Sequence, residues 1–279
     1  RGPQVVAVMA TLLVLSWITI LLRCYVRTQI SKSFGLDDWL AVAALAFFTA
    51  YGAFIFDATH WGSGRHTSSL SPHQYSMTMR SFFMLEITFL VLTATIKFSV
   101  SALLLRLAIK RLHIWIIYAV CMVVFVFSIA AIFVDTFMCH PTTYFWTRFD
   151  EPKPTSGSCQ SASTVANISY FTIVISFITD VTLAVLPGFI IWESRLSPRD
   201  KVSVIAILAL ASLAGISALI RIPYNKSILN GNDVTYVTAD LNIWACVEPG
   251  LGIIASSVAT LRPLFRNFFS RSKLFGSST

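Results

Sequence analysis

The chain has 279 residues, of which 56% are hydrophobic and 12% are charged, and its formal net charge is +8. Soluble globular domains carry about 25% charged residues, so this composition excludes a soluble domain and indicates a protein that crosses the membrane several times. We expect the excess of lysine and arginine to lie in loops as a topology signal, and we expect no nucleic-acid partner. Because the chain opens on Arg1, we expect further residues to precede it in the whole protein.

Seven apolar stretches follow one another along the chain, each long enough to span a bilayer as a helix at about 1.5 Å per residue. They predict an all-α, seven-transmembrane-helix bundle in one membrane domain, residues 1–262, followed by a basic cytoplasmic tail, residues 263–279. The predicted helices cover residues 5–22, 39–56, 81–107, 113–138, 167–192, 202–222 and 237–261.

The third predicted helix carries two charges, Glu86 and Lys97, inside its apolar run. Eleven residues separate them, which places them within about 20° of each other around a helix. A charge at the membrane centre costs at least about 2.5 kcal/mol, so we expect this face to turn inward. Asp180 of the fifth helix lies at nearly the same depth as Lys97, and we expect the two to pair. Such a pair is equally consistent with a structural role, in which it holds the two helices together, and with a functional site.

The last predicted helix has a polar face formed by Asp240, Trp244 and Glu248, spaced by four residues. Together with Glu86 and Arg221 these side chains predict a polar cavity that opens outward. A small ligand would contact the following candidates: Glu86, Lys97, Asp180, Arg221, Asp240, Trp244 and Glu248.

The distribution of basic residues predicts the orientation of the bundle. Thirteen lysines and arginines lie on the side of the first, third and fifth loops and the tail, and seven lie on the other side. The positive-inside rule therefore places the N-terminus outside and the C-terminus in the cytoplasm. Cys139 and Cys159 then lie on the oxidising side, where we predict a disulfide. On the opposite side we expect a cytoplasmic rim of four charged residues: Asp37, Asp38, Arg106 and Arg262.

Several motifs together resemble the fungal rhodopsin-domain family, seven-span integral membrane proteins related to the CFEM-bearing, receptor-like proteins of filamentous fungi. The resemblance covers nearly the whole chain. The motifs are Gly35-Leu36-Asp37-Asp38-Trp39, Gly62-Ser63-Gly64-Arg65-His66, Lys97-Phe98-Ser99 with Arg106, Cys139-His140-Pro141 with Trp146, Gly157-Ser158-Cys159, Asp180 with Leu186-Pro187, Arg221, and Trp244 with Glu248 and Leu261-Arg262-Pro263. The resemblance implies a membrane domain, with surface sensing proposed for some members.

These observations favour a receptor or sensor, similar to G-protein-coupled receptors, in the plasma membrane, with a small-molecule ligand outside and a signalling partner in the cytoplasm. The alternatives are a transporter of protons, ions or small molecules, and an accessory protein or enzyme of a secondary-metabolite pathway. No catalytic motif is present, so we do not expect an enzyme. No histidine or cysteine spacing predicts a metal site. We expect no cofactor and no retinal, because residues 237–261 contain no lysine for a Schiff base.

Overall fold

Six long helices dominate the computed structural model, which describes residues 1–150, 156–192 and 233–261. In chain order the helices are α1 (Gly2–Tyr25), α2 (Leu36–Trp61), α3 (Pro72–Leu107), α4 (Arg111–Thr136), the single turn α5 (Tyr144–Thr147), α6 (Ala162–Trp192) and α7 (Val234–Thr260). Apart from α5, each of these helices is long and apolar enough to cross a membrane. They form an all-α membrane bundle, as predicted. The predicted helix at residues 202–222 and the predicted tail lie outside the described residues.

The helices extend beyond the predicted apolar stretches, and the largest difference is at α3. The sequence predicts a start at residue 81, whereas α3 begins at Pro72, because the apolar stretch marks only the part inside the membrane. Ser71 and Gln74 form a capping box: the Gln74 N–H donates to Ser71 Oγ at 3.2 Å, and the Ser71 N–H donates to Gln74 Oε1 at 3.0 Å. The polar residues between this cap and the apolar stretch are therefore part of α3.

Smaller corrections apply to the other helices. The predicted starts at residues 39, 113, 167 and 237 are each too late by two to five residues, and the predicted end of the second helix, residue 56, is five residues early. The first helix starts at Gly2 and continues past Tyr25 into one wider turn of π-helix, Val26–Ile30. Polar residues flanking each apolar stretch account for these extensions, since they prolong a helix without contributing to its hydrophobicity.

Neighbouring helices pack in the order α7, α1, α2, α3, α4, α6. A first core cluster joins α1, α2, α3 and α7 and contains Phe48, Leu92 and Ile253. A second cluster joins α3, α4 and α6 and contains Leu104 and Ile117. Only α3 contributes buried residues to both clusters, so it connects the two halves of the described bundle.

Large apolar side chains cover the outer surfaces of the helices. On α4 they include Trp115, Met122, Phe125 and Phe133, all of which are exposed. Lipid tails are as apolar as leucine, so such a surface is stable inside a bilayer. The exposed side chains therefore agree with a bundle surrounded by lipid.

The two ends of the bundle differ in chemistry. At one end, here called the disulfide end, β1 (Cys139–His140) pairs antiparallel with β2 (Ser158–Cys159), and Cys139 and Cys159 form the predicted disulfide. At the same end Gly64 adopts a φ of 89°, and its N–H donates to the carbonyl of Thr235 at 2.9 Å. This bond fastens the loop after α2 to the start of α7. The opposite end, with the turns between α1 and α2 and between α3 and α4, is called the network end.

Candidate functional site

A buried charge network lies at the network end, between α1, α2 and α7. The side chains of Arg23, Asp37 and Asp38 are completely buried. Arg23 Nε donates to Asp38 Oδ1 at 2.8 Å, and Nη2 donates to Asp37 Oδ2 at 2.8 Å. The third nitrogen, Nη1, donates to the carbonyl oxygen of Ser256 at 3.1 Å. One guanidinium therefore joins three helices through charge-assisted hydrogen bonds.

Two further arginines surround Asp37. Arg106 Nη1 of α3 lies 2.9 Å from Asp37 Oδ1 and donates to the carbonyl of Ser33 at 3.2 Å. Arg27 Nη2 donates to Asp37 Oδ2 at 3.4 Å, while its Nη1 donates to Ser33 Oγ at 3.2 Å. Ser99 Oγ of α3 donates to the backbone carbonyl of Asp37 at 2.9 Å. Buried carboxylates are tolerated only with such partners, so the network specifies how α1, α2, α3 and α7 meet.

The first turn of α2 places both aspartates. The Gly35 N–H donates to Asp38 Oδ2 at 3.0 Å, so Asp38 caps the helix and also binds Arg23. Negative side chains are favourable at a helix N-terminus, where the backbone dipoles leave a partial positive charge. Gly35 also makes room for Arg106, because a Cβ on Gly35 would clash with Arg106 Nη2.

The structure brings together three of the four residues predicted as a rim, Asp37, Asp38 and Arg106, while Arg262 lies outside the described residues. Both aspartates are buried inside the bundle rather than placed on its surface. The sequence assigns Arg23 and Arg27 only to the topology signal, and it does not predict their role in the network. No signal separates them from surface cations, because a charge near the end of an apolar stretch usually reaches the membrane surface.

A second polar contact lies within the membrane region, between α3 and α6. Lys97 Nζ is 3.0 Å from Asp180 Oδ1, so the ion pair predicted from their depths is present. The same ammonium donates to Ser176 Oγ at 2.8 Å and to Thr179 Oγ1 at 2.9 Å. It also lies 3.1 Å from the carbonyl of Ser176. The pairing of Lys97 with Asp180 was predicted, whereas the contacts of Lys97 with Ser176 and Thr179 were not.

A cavity of about 430 Å³ opens at the disulfide end beside α1 and α7. Its walls are formed by Arg1, Gln4, Asp240, Ile243 and Trp244. Arg1 Nη1 forms an ion pair with Asp240 Oδ2, which is partly exposed. Ligand sites of proteins commonly measure about 300–1,000 Å³. Two of the predicted cavity residues, Asp240 and Trp244, therefore line a cavity of that size.

The structure does not gather the remaining predicted cavity residues there. Glu86 is exposed on α3 and lies close enough to Asp135 of α4 for the two to interact electrostatically. Glu86 is therefore beside α4 and is not among the residues that form the walls of this cavity. Glu248 is buried, 6% exposed, and is not a wall of this cavity. Arg221 lies outside the described residues.

No metal site is found in the part of the chain that the structure describes, since it contains no group of three or more histidine, cysteine, aspartate or glutamate side chains suited to a metal ion. The polar clusters consist instead of arginine–aspartate and lysine–aspartate contacts.

Three curated fungal proteins are similar to this chain over most of its length. The polyenoic acids biosynthesis gene cluster protein Ba17b of Metarhizium anisopliae is 27% identical over 90% of this chain and 70% of its own length. The receptor GIN3 of Arthrobotrys oligospora is 22% identical over 94% of this chain and 62% of its own length. A SAT4 family membrane protein of Emericella nidulans is 25% identical over 82% of this chain. The chain covers less than two thirds of the length of the last two, at 62% and 59%.

No solved structure is similar to this chain at a significant level. A family model does match it. The model of the fungal rhodopsin domain matches residues 22–267, which include the Arg23 network, the Lys97–Asp180 pair and the disulfide. Because this match covers most of the sequence, the chain belongs to the fungal rhodopsin domain family.

Proposed function

We propose that this protein is a receptor or sensor in the plasma membrane, with its N-terminus outside and its C-terminus in the cytoplasm. A small polar molecule binds in the Asp240–Trp244 cavity at the disulfide end. Binding alters the Arg23 network at the network end, where a signalling partner is recruited. The distribution of lysine and arginine supports this orientation, and the name of the receptor GIN3 supports the class of function.

One observation carries the proposal: α7 contributes to both places. Asp240 and Trp244 line the cavity, and the carbonyl of Ser256 accepts a hydrogen bond from Arg23. Sixteen residues of helix separate Asp240 from Ser256, which is about 24 Å at 1.5 Å per residue. Pro249 lies between them inside the helix. A proline removes one helix hydrogen bond and permits a kink, so α7 has a point at which its two halves can change angle.

A binding screen with two matched variants tests the proposal. The protein in lipid nanodiscs is screened against small polar molecules by thermal shift, and hits are repeated with Asp240→Asn and Trp244→Leu. We expect both variants to weaken binding at least tenfold. The control is Trp115→Leu, which changes an exposed tryptophan on α4 and should leave the affinity unchanged. Ligands that bind all four proteins equally would contradict a site at Asp240 and Trp244.

Coupling between the two ends requires a separate readout. Cys24 is next to Arg23 and only partly buried, whereas Cys246 is buried. If a ligand loosens the network, alkylation of Cys24 should become several times faster, as measured by peptide mass spectrometry. A ligand that requires Asp240 but leaves the Cys24 rate unchanged would show binding without transmission. An extracellular location of a tag placed after Thr279 would overturn the proposed orientation.

A transporter is the second candidate, because α3 and α6 place charges inside the membrane region. Lys97 and Asp180 are in contact there, and Glu86 lies nearer the disulfide end beside Asp135. The Ba17b name, which places that relative in a biosynthetic gene cluster, also agrees with the movement of a metabolite. Proteoliposomes that show substrate or proton flux abolished by Asp180→Asn would favour this candidate over the receptor.

A further inference from the structure

The network end presents a positive surface although its core contains carboxylates. Among the described residues, the acids at this end are Asp37 and Asp38, both completely buried. The cations are exposed or partly buried, with the exception of Arg23. They are Arg27, Lys32, Arg106, Lys110 and Arg111. An anion that approaches this end therefore meets cations and no exposed carboxylate of the described chain.

Two of these cations contact Ser33, and a third is next to it in the chain. Arg27 Nη1 donates to Ser33 Oγ at 3.2 Å, and Arg106 Nη1 donates to the Ser33 carbonyl at 3.2 Å. Lys32 is the preceding residue. Among the described residues of this region, with Arg23 included, there are four cations and two carboxylates, which gives these residues a net charge of two positive. A phosphate monoester carries about −1.5 to −2 charges at neutral pH and would balance this charge.

Two details distinguish this place from a diffuse basic rim. Lys32 has a φ of +47°, a left-handed conformation that residues with a Cβ rarely adopt. Arg106 is held against Gly35 and Asp37, yet its side chain is 38% exposed, so part of its guanidinium remains accessible. Arg27 and Arg106 are therefore held by Asp37 and Ser33, next to the unusual backbone conformation of Lys32.

The surrounding residues place this cluster at the level of lipid headgroups. Trp39 follows Asp38 and is 67% exposed, and Trp115 near the start of α4 is 72% exposed. Tryptophan is enriched where the hydrocarbon meets the headgroups. We propose that Arg27, Lys32 and Arg106 bind the phosphate monoester of an anionic phospholipid headgroup. This inference is independent of the proposed receptor function.

Direct binding to the intact protein tests the inference. The detergent-purified protein is titrated with a short-chain phosphatidylinositol monophosphate, and the dissociation constant is compared between variants. Lys32→Gln should weaken binding about fivefold, since one cation near an anionic lipid surface contributes on the order of 1 kcal/mol. The matched control is Arg111→Gln, which removes the same charge at the same end from the first residue of α4; we expect less than a twofold change. Lys32→Arg should bind like the parent protein.

The competing explanations give different results. If the basic residues act only as a topology signal, Lys32→Gln and Arg111→Gln weaken binding equally, and the site is refuted. If phosphatidylserine, which lacks a phosphate monoester, binds as tightly as the inositol lipid, recognition of the monoester is refuted. If the phosphorylated inositol headgroup without acyl chains binds as tightly as the lipid, the ligand is a free phosphate compound and the lipid assignment is refuted.

Discussion

Replacing Arg23 with methionine tests the central claim about the buried network. Methionine keeps much of the length of the arginine stem but removes the charge and all five N–H donors. Asp38 then retains the Gly35 N–H at 3.0 Å and an ion pair with Arg27 at 3.5 Å, while Asp37 retains Arg106 at 2.9 Å and Arg27 at 3.4 Å. Asp38 therefore loses its closest charged partner.

The expected loss of stability is large. Removing one partner of a buried ion pair costs about 3–5 kcal/mol, because the remaining charge is left with too few partners in a nonpolar environment. In a protein of this size we expect the unfolding temperature to fall by about 10 °C. Thermal unfolding in detergent, followed by the reactivity of the free cysteines Cys24, Cys121 and Cys246, measures this fall.

The control and the rescue determine the interpretation. Arg111→Met removes an exposed arginine at the same end and should change stability by less than about 0.5 kcal/mol. Arg23→Met combined with Asp38→Asn should recover part of the loss, since the uncompensated carboxylate is gone. If Arg23→Met unfolds at the temperature of the parent protein, Arg23 is not buried between Asp37 and Asp38, and the reasoning is refuted.

Three further predictions concern the other contacts. Lys97→Met and Asp180→Leu should each cost about 3 kcal/mol of stability in thermal unfolding, and the double variant should recover most of this; independent, additive effects would contradict the contact. Cys139→Ser should lower stability by about 3 kcal/mol, because the disulfide constrains the loop between α4 and α6, and non-reducing peptide mass spectrometry should find the Cys139–Cys159 pair. Gly35→Ala should cost about 1–3 kcal/mol in the same unfolding assay, because its Cβ would displace the Arg106 guanidinium from Asp37.

Membrane spans are the part of this fold that the sequence predicts best. A bilayer requires about 20 apolar residues per helix, and an apolar stretch of that length can be recognised directly in the sequence. The Lys97–Asp180 contact was predictable for the same reason, since the rise per residue gives the depth of each charge and both helices run in the same direction. The polar turns at the start of α3 were missed because they lie outside the apolar stretch, although Ser71 and Gln74 have the capping-box spacing.

The Arg23 network was only partly predictable because burial depends on packing between distant segments. A charge near the end of an apolar stretch usually reaches the membrane surface, and this expectation applied equally to Arg23 and Arg27. The Ser256 carbonyl, which accepts the third hydrogen bond of Arg23, is a backbone group, and the sequence does not indicate which backbone carbonyl takes this role. The position of Glu86 beside α4 was not predictable for a related reason: its spacing from Lys97 gives the angle around α3, but not which helix lies beside it at that depth.

The order in which the partners of Arg23 are synthesised has a consequence for biogenesis. Asp37 and Asp38 follow Arg23 by 14 and 15 residues, so α1 and α2 can enter the membrane as a hairpin with these charges already paired. Ser256 follows Arg23 by 233 residues, which takes about 10–50 s at the usual rates of translation. During that interval the third donor of Arg23 has no Ser256 carbonyl to bind. Arrival of α7 then closes the bundle against α1, and truncated chains that end before Ser256 should be preferred substrates for membrane quality control.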